Sequence, residues 1–156
     1  MPVPSRPNAW SSLHDGGLVA RLGRSEFLVE DGPRGNSAAT VQAELGTGVA
    51  GVYPVLRQDV SMLVRGESVH ELFAQTCSID FSAIPLQERA VTLTMMVGVA
   101  VTIIDTSLDD GFRIWCDGTY GAYLWDTLLE ISAELGGGVV GLSAVLPEAP
   151  VTTDSR

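Results

Sequence analysis

Residues 111–135 switch from one hydrophobic period to another, and this switch predicts a strand followed by a helix. Residues 112–116 alternate large apolar side chains with other residues, as a strand with one buried face does. The tripeptide Asp117-Gly118-Thr119 predicts a turn, and its aspartate or threonine is suited to cap the helix that follows. Four apolar residues beyond the turn recur at i, i+4, i+7 and i+11, the spacing of one helical face. They are Leu124, Leu128, Ile131 and Leu135, and Gly136 is suited to end the helix.

Three aromatic residues, Tyr120, Tyr123 and Trp125, lie at the start of this predicted helix. Because consecutive helical residues point about 100° apart, Tyr123 and Trp125 are expected to flank Leu124 on opposite sides. At least one of the two is then expected to reach beyond the chain's own sheet. Aromatic residues in such positions are typical anchors of protein interfaces. Together with Trp10, the three aromatics are the candidate interface residues.

The region from residue 60 predicts an antiparallel sheet. Residues 60–64, 90–96 and 99–105 have strand composition, and the last two segments predict a hairpin around Val97-Gly98. A helix is expected from Ser68, with Glu71 in a capping-box position. The order β-α-β-β-β-α is typical of an α+β fold in which helices cover one face of an antiparallel sheet.

The region before residue 60 predicts two strands, a helix and a further strand: residues 18–23, 26–30, 37–45 and 49–56. Residues 1–17 are rich in Pro, Ser and Gly and predict an extended arm, with Trp10 and Leu13 anchoring it on a neighbouring molecule. Residues 18–146 then form a single α+β domain, and residues 147–156 a disordered tail.

Apolar residues exceed charged ones, at 46% against 18%, and the mean hydropathy is +0.24. No apolar run reaches the roughly 18 residues that span a bilayer, so no membrane association is expected. The excess predicts core or protein interface, of which interface is favoured. The net charge is −10 and all nine basic residues are arginine, so nucleic acid is not expected as a partner. The amino terminus lacks a signal-peptide pattern, and a cytoplasmic location is expected.

The residue types that carry catalysis are scarce. His14 and His70 have no ligand at metal spacing. Cys77 and Cys116, the two cysteines, predict buried thiols and no disulfide. We therefore expect no catalytic, metal-binding or cofactor-binding residue in this chain. From its residues alone the sequence indicates an α+β domain and no function.

A charged group remains, formed by Arg65-Gly66-Glu67 with Asp59 and Asp80. It is interpreted as turn residues at a solvated rim, with a functional site as the alternative. The Asp109-Asp110 pair likewise predicts a turn.

Three stretches resemble one protein family. Residues 58–81, QDVSMLVRGESVHELFAQTCSIDF, resemble a segment of aminomethyltransferase-like folate-fold proteins, and the sequence CSID at 77–80 is similar to the form in the gamma subunit of heterotetrameric sarcosine oxidase. Residues 111–131 are similar to the family's F-x-L-x-V-x-R-S-Y-A-x-Y-L-W-x-W-L block, and Tyr123-Leu124-Trp125 matches it directly. Asp117-Gly118 stands where that block has a basic residue. Residues 24–28 resemble the family's G-x-x-E-F-L strand.

The resemblance to this gamma-subunit family, which includes N-methylglutamate dehydrogenase-like enzymes, implies a reduced aminomethyltransferase fold and a non-catalytic structural subunit. It implies three partners: a large beta subunit with FAD and FMN, an alpha subunit with NAD and tetrahydrofolate, and a small zinc-binding delta subunit. Such a complex oxidatively demethylates sarcosine or a related N-methyl amino acid. This chain itself is expected to hold no cofactor. The alternative is a stand-alone module that binds folate or transfers an aminomethyl group.

Overall fold

The computed structural model describes residues 1–32, 35–46, 48–55, 57–84, 89–106 and 111–141, and these residues form two antiparallel sheets and three α-helices. The small sheet has the order β1-β2-β3, with strands Ala9–Ser12, Leu18–Arg21 and Phe27–Glu30. The large sheet has the order β4-β7-β6-β5, with β4 at Asp59–Val64, β5 at Val91–Met96, β6 at Val99–Thr106 and β7 at Gly111–Asp117. The helices are α1 at Ser37–Leu45, α2 at Val69–Thr76 and α3 at Gly121–Glu134.

The predicted α+β class and the order β-α-β-β-β-α from β4 onward are both confirmed. The β5–β6 hairpin turns at Val97-Gly98, where both residues have positive φ. The strand after it, β7, lies in the middle of the sheet and pairs with β4 on its other side. The element predicted first from the sequence is therefore central to the fold.

The larger core lies on the face of the large sheet that α2 and α3 cover. Leu72 and Phe73 of α2 and Leu124 and Leu128 of α3 are buried there. Phe73 packs edge to face on Phe112 of β7, with ring centroids 4.8 Å apart. Both helices thus bury apolar residues against the same strands, and the α3 residues are those of the predicted stripe.

The small sheet covers part of the opposite face. Trp10 of β1 and Leu18 of β2 are buried in a second cluster with Ile104 of β6 and Trp115 of β7. The predicted extended arm is therefore wrong at residues 9–12, which form a strand paired with β2. The cause is the burial of Trp10, which lies against its own chain and not on a neighbour.

One carboxylate ties the two sheets together. Glu30, at the end of β3, accepts hydrogen bonds from Arg113 Nη1 at 2.8 Å and from Trp115 Nε1 at 2.7 Å. Both donors belong to β7, on the face that the small sheet covers. Charge-assisted bonds of this kind are among the stronger polar contacts in proteins.

Two other local predictions are wrong. Residues 49–55 of the candidate strand 49–56 form turns and exposed chain, because no strand of the described residues pairs with them. Ser68 precedes α2 but makes no capping hydrogen bond, so the predicted capping box with Glu71 is not formed. The predicted tail at residues 147–156 and the Asp109-Asp110 turn lie outside the described residues.

Candidate interaction surface

A short capped turn places α3 directly after β7. The carboxylate of Asp117 accepts hydrogen bonds from the Thr119 backbone N–H at 2.8 Å and from its hydroxyl at 2.6 Å. These bonds stabilise the charged carboxylate and hold the pKa of Asp117 below its ordinary value. Gly121 opens the helix where it crosses β4, since an added Cβ would lie 2.7 Å from Val60 Cγ2. The absence of a side chain thus sets how closely α3 approaches the sheet.

The predicted apolar stripe of α3 faces the core. Leu124 and Leu128 are buried, and Ile131 and Leu135 are partly buried against the same cluster. Gly136, with φ of +80°, follows the helix in the left-handed conformation predicted for that position. The stripe accounts for one side of the helix only.

The aromatic residues of α3 and of the turn before it lie on the solvent side. Tyr120, Tyr123 and Trp125 are 54%, 53% and 44% exposed. Tyr123 donates a hydrogen bond to the carbonyl of Val97, 3.1 Å away in the β5–β6 turn. Trp125 points the other way, toward β4. The predicted geometry, with Leu124 buried between two flanking aromatics, is confirmed, whereas the fourth candidate, Trp10, is buried.

Trp125 lines a cleft of about 780 Å³ between α3 and the edge of the large sheet. Leu128, Leu129 and Ser132 continue the α3 wall, and the outer strand β4 and the loop after it form the opposite side. The rim carries charge from Arg65, Glu67 and the Glu30–Arg113 pair. The charged group predicted from sequence is therefore only partly brought together.

The rest of that group is occupied elsewhere. Asp59 pairs with Arg57 at 2.6 Å. Asp80 accepts hydrogen bonds from Ser82 in the short 3-10 turn Phe81–Ala83, which hold the pKa of Asp80 below its ordinary value. Both aspartates thus serve local structure, as the turn interpretation predicts.

Charge is unevenly distributed over the chain. Neither α2 nor α3 contains a basic residue other than His70, whereas α3 exposes Asp126, Glu130 and Glu134 along its outer side. The arginines of the described residues lie in the strands and in the loops beside them. The exposed aromatics therefore belong to an acidic helical surface, which suits a basic partner surface.

The residues with reactive side chains are held in structural roles. Cys77 and Cys116 are free thiols, both buried, as predicted. Burial, and then the charges of Asp59 and Asp117, raises the pKa of Cys116 and keeps it as an unreactive thiol. His70 packs its ring edge to face on Phe112. In the described part of the chain, no three His, Cys, Asp or Glu side chains come close enough to hold a metal.

Sequence reasoning missed the cleft and the Glu30 contacts. The cleft joins residues from four separate parts of the chain, and Glu30 reads in sequence as the polar end of a short strand. Among the helices of the described residues, none has the length and apolarity needed to cross a bilayer. A scan against protein-family models and a search of curated proteins each give no match to this chain.

Proposed function

We propose that this chain is the non-catalytic gamma subunit of a flavin-dependent oxidoreductase that demethylates sarcosine or a related N-methyl amino acid. The proposal rests on the resemblance of residues 24–28, 58–81 and 111–131 to that family. Its fold is a reduced aminomethyltransferase domain, built on the β-α-β-β-β-α order. The complex works in the cytoplasm.

One observation carries the subunit role: three large aromatic side chains stay exposed around a helix whose apolar stripe is already buried. Tyr120, Tyr123 and Trp125 are 54%, 53% and 44% exposed, so the rest of the chain covers only part of each aromatic ring. Aromatic residues that anchor an interface are buried only when the partner binds, and each contributes strongly to affinity. Their acidic neighbours on α3 select a partner with a basic surface.

The partners follow from the same proposal. A beta subunit carries FAD and FMN, an alpha subunit carries NAD and tetrahydrofolate, and a delta subunit binds zinc. The chain described here contributes surface and no cofactor. Its α3 surface contacts the large flavin-binding subunit.

Co-expression with the flavin-binding subunit from the same organism tests the proposal. The expected result is a stable complex, whose association Trp125→Ala weakens about 30-fold, the equivalent of ~2 kcal/mol. Tyr53→Ala is the matched control, because Tyr53 is 80% exposed on the loop of residues 48–55 and outside α3. Failure of the wild-type chain to bind the flavin subunit, or equal weakening by the control, would contradict the proposal.

A stand-alone folate-binding or aminomethyl-transferring module is the second candidate function, and the cleft favours it. A volume of about 780 Å³ falls within the range of small-molecule sites. Since Trp125 lines the cleft, tetrahydrofolate bound there would quench its fluorescence. Saturable quenching that disappears in Trp125→Phe supports this candidate, and unchanged fluorescence up to millimolar tetrahydrofolate excludes it.

A further inference from the structure

The two edges of the large sheet are treated differently. The β5 edge is covered at both ends, by a bridge from Ala9 to Ala90 and by one from Cys77 to Met96. The β4 edge has no pairing strand among the described residues, and it carries no proline or lysine. Proteins usually protect an edge of this length by a cover, a charge or a proline. The one charge within β4, Asp59, lies at its first position, so the rest of this edge is open, among the described residues, to a strand from outside the chain.

The backbone groups that such a strand would bind can be identified. The carbonyl of Gln58 accepts a hydrogen bond from the Gly118 N–H, 2.9 Å away, so the backbone N–H and C=O of Gln58 point toward β7. In an antiparallel ladder the backbone groups of successive residues point alternately toward one neighbouring strand and toward the other. Asp59, Ser61 and Leu63 therefore direct their N–H and C=O groups outward, away from β7. An extended backbone is the ligand that pairs with this row.

The charges along β4 are antisymmetric about its centre. Arg57 and Asp59 precede the centre at Met62, and Arg65 and Glu67 follow it at the same separations. In an antiparallel pair of two identical strands centred on Met62, Asp59 of one copy faces Arg65 of the other, once at each end of the joined ladder. Arg57, which pairs with Asp59 and Glu26 of its own copy, and Glu67, which follows the bend at Gly66, lie outside the paired strands.

We propose that the occupant of this edge is a second copy of the chain, whose β4 pairs antiparallel with the first to form one continuous eight-stranded sheet. The register follows from the charges. Centring the pair on Ser61 instead would set Arg57 against Arg65, and centring it on Leu63 would move Arg65 away from Asp59 to a position opposite Ser61. The first register sets like charges against each other and the second loses the attraction between unlike charges, so both are disfavoured.

The cleft fits the same arrangement. A two-fold axis perpendicular to the sheet at Met62 places both copies' α3 helices on the same side, with their clefts facing each other. Trp125, Leu129 and Ser132 of each copy then line a common space above the joined strands. The half-buried Val60 and Val64 gain cover from the second copy.

Asp59 gains a second cation in this pair. It lies directly across from Asp117 in the ladder, so two like charges already face each other within one copy. Arg57 forms an ion pair with Asp59 and so offsets one of these two negative charges. Arg65 of the second copy supplies the other positive charge. This inference rests on the β4 edge and not on the proposed function: Tyr120 and Tyr123 stay outside the joined edge, and of the proposed interface aromatics on and before α3 Trp125 alone lines the shared space.

Charge exchange across the two-fold axis tests the pairing. The full chain is expected to sediment as a dimer, at twice the mass of the 16.5 kDa chain. Arg65→Glu alone and Asp59→Arg alone each set like charges at both symmetric contacts, and each is expected to weaken dimerisation at least 10-fold. Mixing these two variants puts unlike charges at both contacts of the mixed dimer, so the mixture is expected to regain the dimer mass.

Two further variants separate the edge from other effects. Arg24→Glu makes the same charge change in the exposed turn between β2 and β3, and its dimer is expected to be unchanged. Ser61→Pro removes an outward N–H that β7 does not use, and its chain is expected to be a folded monomer by circular dichroism. A monomeric wild-type chain at 100 μM, a dimer that survives both charge variants, or a mixture that stays monomeric would overturn the proposal. Loss of flavin-subunit binding in Ser61→Pro, with a monomeric wild-type chain, would assign the edge to that partner instead.

Discussion

Replacing Leu124 by alanine should destabilise the fold severely, because its side chain is completely buried in the α3 core. The change removes three carbon atoms, each worth about 0.8 kcal/mol of burial, or about 2.4 kcal/mol in all. The cavity left beneath the helix adds to this loss, since the sheet below is fixed by its ladder. Comparable core leucines lose about 2.7–5 kcal/mol, and Leu124 is expected within that range.

The two aromatic neighbours should behave differently. Trp125→Ala opens no closed cavity, because water already reaches the ring from the cleft, and the better helix propensity of alanine offsets part of the loss. We expect Trp125→Ala to lower the free energy of unfolding by about 1 kcal/mol. Tyr123→Phe removes only the hydrogen bond to the Val97 carbonyl and should cost about 0.5–1 kcal/mol.

Urea denaturation followed by circular dichroism measures all three free energies of unfolding, with a common m value as the check on two-state behaviour. In a chain of this size each kcal/mol lowers Tm by about 2–4 °C, so Leu124→Ala should melt about 5–20 °C below the wild type. If Trp125→Ala loses as much stability as Leu124→Ala, then α3 is buried on its cleft side in solution. The argument for an exposed interface at Trp125 would then be wrong.

Three other substitutions test separate parts of the structure. Gly121→Ala should destabilise by about 1–3 kcal/mol despite the helix propensity of alanine, because the new methyl group would lie against Val60; a Tm above that of the wild type would contradict this close approach. Glu30→Ala should cost about 2–3 kcal/mol and speed hydrogen exchange in the small sheet, because the hydrogen bonds that Trp115 and Arg113 donate to Glu30 are lost; unchanged exchange would show that these two bonds do not hold the sheets together. Asp117→Asn should flatten the pH dependence of stability in acid, because a lowered pKa contributes stability that is complete above the ordinary value of 3.8 and is lost as pH falls through the folded-state value; equal acid titration curves for variant and wild type would refute this.

The elements that sequence predicted best are those whose signals are local. The leucine stripe of α3 and the Val-, Ile- and Thr-rich β5–β6 hairpin each carry a complete period within a dozen residues. Each therefore specifies its own secondary structure before any long-range contact forms. The exposure of Tyr123 and Trp125 on either side of Leu124 follows from helical geometry in the same way.

The elements that sequence missed depend on distant partners. Trp10 lies among prolines and serines that predict an arm, and it becomes part of a strand by pairing with Ala20 and packing with Trp115. Residues 49–55 contain valines suited to a strand but meet no pairing strand among the described residues. The contacts of Glu30 lie 83 and 85 residues along the chain, beyond the reach of any local pattern.

The position of β4 beside β7 has a consequence for folding kinetics. The strands β5, β6 and β7 follow one another along the chain, but β4 joins them only by pairing with β7, as in Val60 with Cys116, across the intervening α2, β5 and β6. Closing that longer loop costs entropy that the hairpins do not incur. The three-stranded meander should therefore form before the transition state and β4 should dock after it. Conservative substitutions in β4, such as Val60→Ala, should then speed unfolding, whereas Ile103→Val in β6 should slow folding.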